Sequence, residues 1–575
     1  MVEQTNEDSQ VMEMSEALTI NRDELDPITV EVIRHKLDGI ADEMQTTLLR
    51  SSFSPIVKEG LDASASLFTA DGTTLAQSCS IPIHLATLIP CVEQVIKTYG
   101  QSEISDGDIY IINDPYGGGT HLPDIAIIVP IFVDEELIAF SAAMAHHQDV
   151  GGKTPGSVPT DATELYQEGL CIPLVRLSRR GAYDDQIIRF IRKNVRIPDV
   201  VMGDINAQIA ACSIARRRIS EVSAMYGRAY LTRVFGNLID RSELLTRKAL
   251  EGIPDGVYNF VDYLDNDGID LDKKIRIEVT ATVKGDELNF DFAGTDAQVK
   301  GPLNCVYSGT LAAACFVVRA ATGSNIPTNG GCFKPLSISL PPGTVVNPNH
   351  PAPVNARTAT IKRITGTMLA ALAKAVPDKV PASNAGELLV IAFGGRRADT
   401  NESFIVTELI AGGSGASQYQ DGVDVVETDA TNCMNMPVEA MEVDAPVRVI
   451  RAALRDDSGG VGQHRGGLGV IREYEALQDG ITVSHRGERH FTAAAGLNGG
   501  GSGAVARSVV KRRDGSREEV RSKEVLRLDK GDVLLVETAG GGGYGKPQER
   551  SKTEIEEDLM NGKVSNKAAL EVYGH

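Results

Sequence analysis

Tryptophan is absent from this 575-residue chain, and aromatic residues make up only 5% of it. Platforms on which nucleic-acid bases could stack would have to come from scattered Tyr and Phe. A basic excess is missing as well: 57 Lys and Arg face 78 Asp and Glu, a formal charge of −21 that repels a phosphate backbone. A patch such as Arg189, Arg192, Lys193 and Arg196 is ordinary surface, and no nucleic-acid partner is expected. Long apolar runs are lacking too. IAIIVPIFV (125–133) closes at Asp134, far short of the roughly 20 residues a membrane-spanning helix needs. The N-terminus has no basic residue before Arg22 and no apolar core, so it does not read as a secretory leader. Eight cysteines occur without a single CxxC pair, which excludes a Cys-type zinc site and points to reduced thiols and a cytoplasmic location. Any metal must then be held by His, Asp and Glu. A GxSxG elbow is also missing, so a serine hydrolase is not supported.

What is present suits a large multi-domain globular protein. With 42% hydrophobic and 23% charged residues the chain can fill several cores. Residues 1–25 read as a disordered acidic tail. Asp26-Pro27 then offers an N-cap followed by proline at the first helical position, and Val30, Ile33, Leu37, Ile40, Met44 and Leu48 recur at helical spacing to about Arg50. The stretch 55–150 reads as a sheet with functional loops and little helix. Residues 184–250 read as two or three long helices, and Pro254-Asp255-Gly256 marks a return to strands. Helices recur at SGTLAAACFVVRAAT and ITGTMLAALAKAV. The expected class is α+β (mixed α/β), divided into 26–255, 256–384, a glycine-rich β part over 385–548 and a closing helix over 549–575.

The richest constellation lies between Asp62 and Asp149. NDPYGGGTHLPD places Gly117-Gly118-Gly119 just before His121 and Asp124. On a regular strand a separation of three sends two side chains to opposite faces; Pro123 and the glycines argue instead for a loop from which both point inward. The next strand ends in AHHQD, where His146 and His147 face opposite ways if extended. A His2Asp or His2Asp2 set has the N/O donors that suit Zn2+ or Mn2+ and leaves a position open for water or substrate. The competing reading makes His121 and His146 satisfied interior histidines, with Asp124 capping a turn.

Other motifs carry less. Gly540 to Lys546 formally matches G-x-x-x-x-G-K, but Pro547 stands where a phosphate loop needs Ser or Thr and a helix start. No nucleotide site is expected there; a packed glycine-rich turn fits better. DSGGVGQHRGGLG (457–469) could hold an anion at His464 and Arg465 or serve as a structural loop. Cys332 and Cys433 lack a neighbouring base and read as buried inert thiols.

DPITVEVIRHKL, SPIVKEGLDASASLF, IPIHL, NDPYGGGTHLPD, AHHQDVGG, YQEGLCIP, GDINAQIAA, NCMNMPVEAMEVDAP, RDDSGGVGQHRGGLG and ETAGGGGYGKP follow one another as in the hydantoinase B/oxoprolinase family, which the chain resembles over about residues 26–548. The likeness extends to the corresponding subunits of ATP-dependent N-methylhydantoinases, caprolactamase, and the acetone and acetophenone carboxylases. It implies a divalent metal held by His121, Asp124 and His146 with Asp62 as fourth ligand, although the family often reads Asp-Phe-Ser where this chain has Asp-Ala-Ser. It further implies His147 and Asp149 as groups orienting ligands or water, with Asp62 or Asp149 as general base. ATP would bind a partner, an actin-like ATPase of the HyuA type, in an α2β2 hetero-oligomer.

The activity so implied is ATP-dependent hydrolysis of a cyclic amide such as a hydantoin, 5-oxoproline or a larger lactam. One alternative is a component of an ATP-dependent ketone carboxylase; another is a non-catalytic scaffold for the ATPase, which would bind no metal.

Overall fold

The computed structural model describes residues 25–323 and 325–575; all but the last residue of the expected acidic tail lie outside them. Helix α1 (Pro27–Ser51) starts where Asp26 caps it, the carboxylate accepting from Thr29 N, and it buries Val30, Ile33, Leu37, Ile40, Met44 and Leu48. Strands β1 (Ala63–Thr69) and β2 (Thr74–Gln77) form a hairpin, followed by helix α2 (Pro82–Tyr99). Strands β3 (Ile109–Ile112), β4 (Asp124–Val133), β5 (Glu136–His146), β6 (Val175–Arg179) and β7 (Ala182–Tyr183) complete a seven-stranded antiparallel sheet in the order β2-β1-β5-β4-β3-β6-β7. Both faces of its centre are covered, so β4 and β5 read as continuous apolar runs, not alternating ones.

Helix α2 departs from the sequence reading, which expected little helix over 55–150. Pro82 and Pro90 suggest breaks, but Pro82 opens the helix, where no amide bond is lost. Pro90 is carried inside it, and Leu88, Cys91, Val92 and Val95 pack against Phe68, Tyr110, Phe140 and Met144 of the sheet. Tertiary burial outweighs the local proline signal.

The expected helical stretch consists of α3 (Asp185–Asn194), α4 (Pro198–Tyr226) and α5 (Arg228–Leu250). Helix α4 covers the sheet face opposite α2, through Ile205, Ile209, Cys212 and Ile219. A second sheet, β11-β10-β9-β8, is built from β8 (Gly256–Leu264), β9 (Ile275–Lys284), β10 (Glu287–Asp291) and β11 (Leu336–Ser339). It packs on α6 (Tyr307–Thr322) and α7 (Arg357–Leu372). The rest is a sandwich of nine strands: β12 (Leu388–Arg396), β13 (Ser403–Ala411), β14 (Val447–Leu454), β15 (Val470–Ala476), β16 (Ile481–Arg486), β17 (Arg507–Lys511), β18 (Arg517–Val520), β19 (Lys523–Leu528) and β20 (Val533–Glu537). One sheet runs β13-β12-β16-β19 and the other β14-β15-β20-β17-β18, with Leu389, Phe393, Tyr474, Val483 and Leu534 in the shared core. Helix α8 (Lys552–Met560) closes the fold behind a Ser551–Glu554 capping box. Among the described residues no helix is long and apolar enough to cross a membrane.

The glycines that imitate a phosphate loop are committed elsewhere. Gly541, Gly542 and Gly543 donate their amides to Gly467, Ser383 and Gly501, three different segments, at 2.8–2.9 Å. Their carbonyls accept from Gly460, Ala416 and Leu497. These bonds tie several segments together backbone to backbone, and such packing leaves no room for side chains. A Cβ on Gly541 would lie 1.9 Å from Ser414 O. His464 and Arg465 are likewise occupied by Asp421 and by Asp424 with Asp558, so that loop is a structural one.

Gly541→Ala should therefore cost about 1–3 kcal/mol or more through overpacking, whereas Gly236→Ala on α5, where a Cβ meets nothing within 4 Å, should be neutral or slightly stabilising. Urea-unfolding midpoints check this: a clear drop only for Gly541→Ala is expected, and equal midpoints would contradict the packing account.

Candidate metal centre

The site begins with sheet geometry. Asp124 and His146 are direct cross-strand partners in β4 and β5, and the amide of His146 donates to Asp62 O (3.0 Å) at the head of β1. Strand parity places the three side chains on one face: Ala126 and Met144, two residues along each strand, lie in the core beneath α2. His121 comes from the turn before β4, where Asp124 N bonds His121 O (3.0 Å), so His and Asp converge despite their odd spacing. The glycine run makes that turn. Gly118 has φ +119°, and Cβ atoms at Gly118 and Gly119 would meet Pro90 O and Asp114 O at 2.9 and 2.8 Å.

His121, Asp124 and His146 offer donor atoms within 4.8 Å of one another. His121 Nδ1 lies 3.0 Å from the carbonyl of Asn355, which can only accept, so Nδ1 carries the proton. Its other nitrogen, Nε2, then points a lone pair at Asp124 Oδ1 2.9 Å away. Two acceptors at that distance repel unless a cation joins them. Burial, reinforced by the charge of Arg357, pulls the His121 imidazole down to about 4 against the pull of Asp124, which disfavours a proton in that position. Neighbouring ligands of one ion at about 2.1 Å stand about 3.0–3.4 Å apart, close to the distance observed.

The remaining groups fit a ligand set. Burial favours a protonated Asp124, but the groups around it, Arg357 the permanently charged one among them, hold the carboxyl well below the ordinary range. Arg357 pairs with Asp124 Oδ2, leaving Oδ1 facing His121, and is itself fixed by Thr120 Oγ1 (2.6 Å). Burial keeps the His146 imidazole neutral, and its Nδ1 has no hydrogen-bond partner. Burial pushes the Asp62 carboxyl up to about 6.

Sequence reasoning did not single out His84, Arg357, Asn355 or Arg486. His84, in the first turn of α2, sits 3.5 Å from both Asp62 Oδ1 and Asp124 Oδ2. Its motif, IPIHL, is visible in the sequence; the helix that delivers it is not. The other three come from chain more than 200 residues further on.

His147 and Asp149 are placed differently from the sequence expectation. Parity turns His147 to the α4 face, where Nε2 lies 3.1 Å from Gln208 Oε1; that glutamine in turn donates to Ile125 O and Ala143 O. Asp149 has both oxygens engaged by Gly151 N, Gly156 N and Arg196, away from the cavity. These two residues brace the strand end. Neither touches the His/Asp cluster.

The cluster faces a cavity of about 30 Å3 between the first sheet and the sandwich. Asp62, His84, His121, His146 and Arg357 form its polar side; Leu388, Val390 and Leu409 close it, with Arg486 at the end of β16. Cys433 also lines it, with its thiol raised well above the usual range by burial and by Asp62 and Glu427, which makes it a poor nucleophile. Cys332 is buried, donating to Pro327 O.

The family model described as hydantoinase B/oxoprolinase matches residues 26–547. An uncharacterised protein of Methanocaldococcus jannaschii is 37% identical over 552 residues, spanning 96% of each chain. A protein of Pseudomonas sp., provisionally named as one of the subunits of a D-/L-hydantoinase, is 34% identical over 574 residues, 96% of this chain and 95% of its own. The crystal structure of an ATP-dependent caprolactamase from Pseudomonas jessenii superposes with a TM-score of 0.88 at 30% identity over 96% of both chains. Nucleotide-free acetone carboxylase gives 0.89 at 22% identity over 97% of this chain and 80% of its own, a likeness of fold alone.

If Asp62 joins the ligand set, Mn2+ or Zn2+ binding must displace its proton below pH 6 and not above it. Calorimetry in buffers of different ionisation enthalpy should show about one more proton released at pH 5 than at pH 7.5, a difference lost in Asp62→Asn. Equal release at both pH values would remove Asp62 from the set.

Proposed function

The chain belongs to the hydantoinase B/oxoprolinase family, and from that premise we propose that it is the metal-bearing subunit of an ATP-dependent hydrolase of cyclic amides. The observation that carries the reading is the buried donor set in which His121 Nε2 confronts Asp124 Oδ1 beside His146. The ion would be Zn2+ or Mn2+, since two imidazoles and one or two carboxylates suit either. A divalent ion bound there polarises a carbonyl and brings the pKa of water from about 15.7 towards about 7.

An unstrained lactam is resonance-stabilised and its opening needs driving. The driving would come from ATP in a partner of ATPase type, arranged with this chain as an α2β2 assembly, which would phosphorylate the amide oxygen; water adding to the activated carbon would then expel the ring nitrogen as the amine, and hydrolysis of the resulting acyl phosphate would release phosphate and the open-chain carboxylate. The relative named as one of the subunits of a hydantoinase supports a partner of this kind. In this chain the amides of the 540–545 glycine run are spent on backbone bonds, which accords with ATP binding elsewhere.

The chain's own residues divide the work. Asn355 fixes the tautomer of His121, and Arg357 orients Asp124. Asp62, whose carboxyl burial pushes up to about 6, would take a proton from water when it is not itself a ligand. The apolar walls at Leu388, Val390 and Leu409 limit water to what the polar side admits. Matching lengths with the caprolactamase chain, 96% of both against 80% of the acetone carboxylase chain, favour the hydrolase over a ketone carboxylase.

Asp124→Ala and His146→Ala, each co-expressed with the partner, should lower bound metal and cut lactam- or hydantoin-dependent ATP hydrolysis by about two orders of magnitude or more. Full activity with normal metal content would defeat the assignment. Labelled bicarbonate appearing in a carboxylated ketone would turn it to the carboxylase.

A further inference from the structure

Arg486 is the feature of the cavity that ligand-set reasoning leaves unused. It is 6% exposed and lines the cavity beside the His/Asp cluster, where it shares the Asn355 carbonyl with His121 Nδ1. Its place is fixed: β16 pairs with β12 so that Arg486 lies across from Val390, and Nη1 donates to Asn355 O (3.1 Å) and Asn355 Oδ1 (2.8 Å). Among the described residues no carboxylate lies within ion-pair distance of it, whereas Arg357, on the same cavity, is paired with Asp124. Glu168, the acid that influences it, spends both oxygens on the amides of Val354 and Asn355, and burial pushes that carboxyl up to about 8. A buried guanidinium without a carboxylate costs free energy unless an anion arrives to meet it.

The charge of the site points to which anion. Asp62 and Asp124 match Arg357 and Arg486 in number around the cavity, and the oxygens of Glu168 are turned to backbone amides, so a divalent cation held by the His/Asp set would leave the cavity net positive. A phosphoryl dianion offsets more of that surplus than a carboxylate does. A guanidinium held through one nitrogen still has donors to present as a fork, the geometry that matches phosphate.

We propose that Arg486 is a substrate-binding residue that receives the phosphoryl group of the activated substrate and holds it beside the His/Asp cluster. This rests on the amide-activation reading above and adds to it the residue that recognises activation. A substrate without its phosphoryl group would leave Arg486 unmet, so the site discriminates between activated and free amide.

The test uses the full chain loaded with one equivalent of Mn2+, with labelled inorganic phosphate as probe in equilibrium dialysis. Saturable phosphate binding is expected in the wild type. In Arg486→Gln it should weaken at least about tenfold with metal content unchanged, a combination that general misfolding would not give. Should Arg486→Gln fail to retain metal, Arg486→Lys decides: it keeps the charge without the fork and should bind phosphate several-fold more weakly. Phosphate binding equal to wild type in the variant that retains metal overturns the proposal, as does its absence in the metal-loaded wild type. Acetate displacing phosphate at comparable concentration also overturns it, because the site would then read carboxylates. A chain that binds phosphate through Arg486 yet hydrolyses no cyclic amide with its partner keeps this assignment and loses only the substrate.

Discussion

The site depends on one contact, the approach of His121 Nε2 to Asp124 Oδ1. The protein enforces it from both ends. The Asn355 carbonyl claims the only proton His121 carries, and Arg357 claims the far oxygen of Asp124. What remains is two lone pairs directed at one point inside a low-dielectric interior. Burial and the charge of Arg357 depress His121, which makes the pair a candidate seat for a metal cation. His146 and Asp62 join through sheet register, which needs no loop to hold them.

Much of the remaining architecture brings distant chain to that point. The first sheet supplies three of the groups, α2 supplies His84, the start of α7 supplies Arg357 after Asn355, and the sandwich supplies Arg486 and the apolar walls. The glycine bundle behind the sandwich lets segments from 382–385, 412–416, 459–467, 495–503 and 540–545 pack backbone to backbone. Glycine is used there for close approach. At Gly118 it is used for conformation as well. These are separate reasons for a composition of 57 glycines.

The features legible in the sequence are those set by local rules. The α1 spacing, the helical block over 184–250 and the strand character of 124–146 follow from periodicity and turn residues. Pro123 and the glycine run make the convergence of His121 with Asp124 readable, and strand parity requires His146 and His147 to part company. Which of the two faces inward is decided by the α2 helix, and Pro82 and Pro90 conceal that helix. With it goes His84. Proximity in sequence misleads at His147 and Asp149: one is turned to Gln208 by parity, the other is consumed by Gly151, Gly156 and Arg196. Arg357, Asn355 and Arg486 reach the site only through tertiary assembly, and no local pattern marks them.

The central claim, that the buried His/Asp cluster is completed by a divalent metal ion, is tested most directly by X-ray absorption on the purified full-length chain with its metal quantified. The account predicts one ion per chain with nitrogen and oxygen ligands at about 2.0–2.2 Å, including the scattering signature of two imidazoles. A sulfur ligand at about 2.3 Å would place the ion on Cys433 instead, and a chain active with its partner while containing no metal would contradict the claim outright.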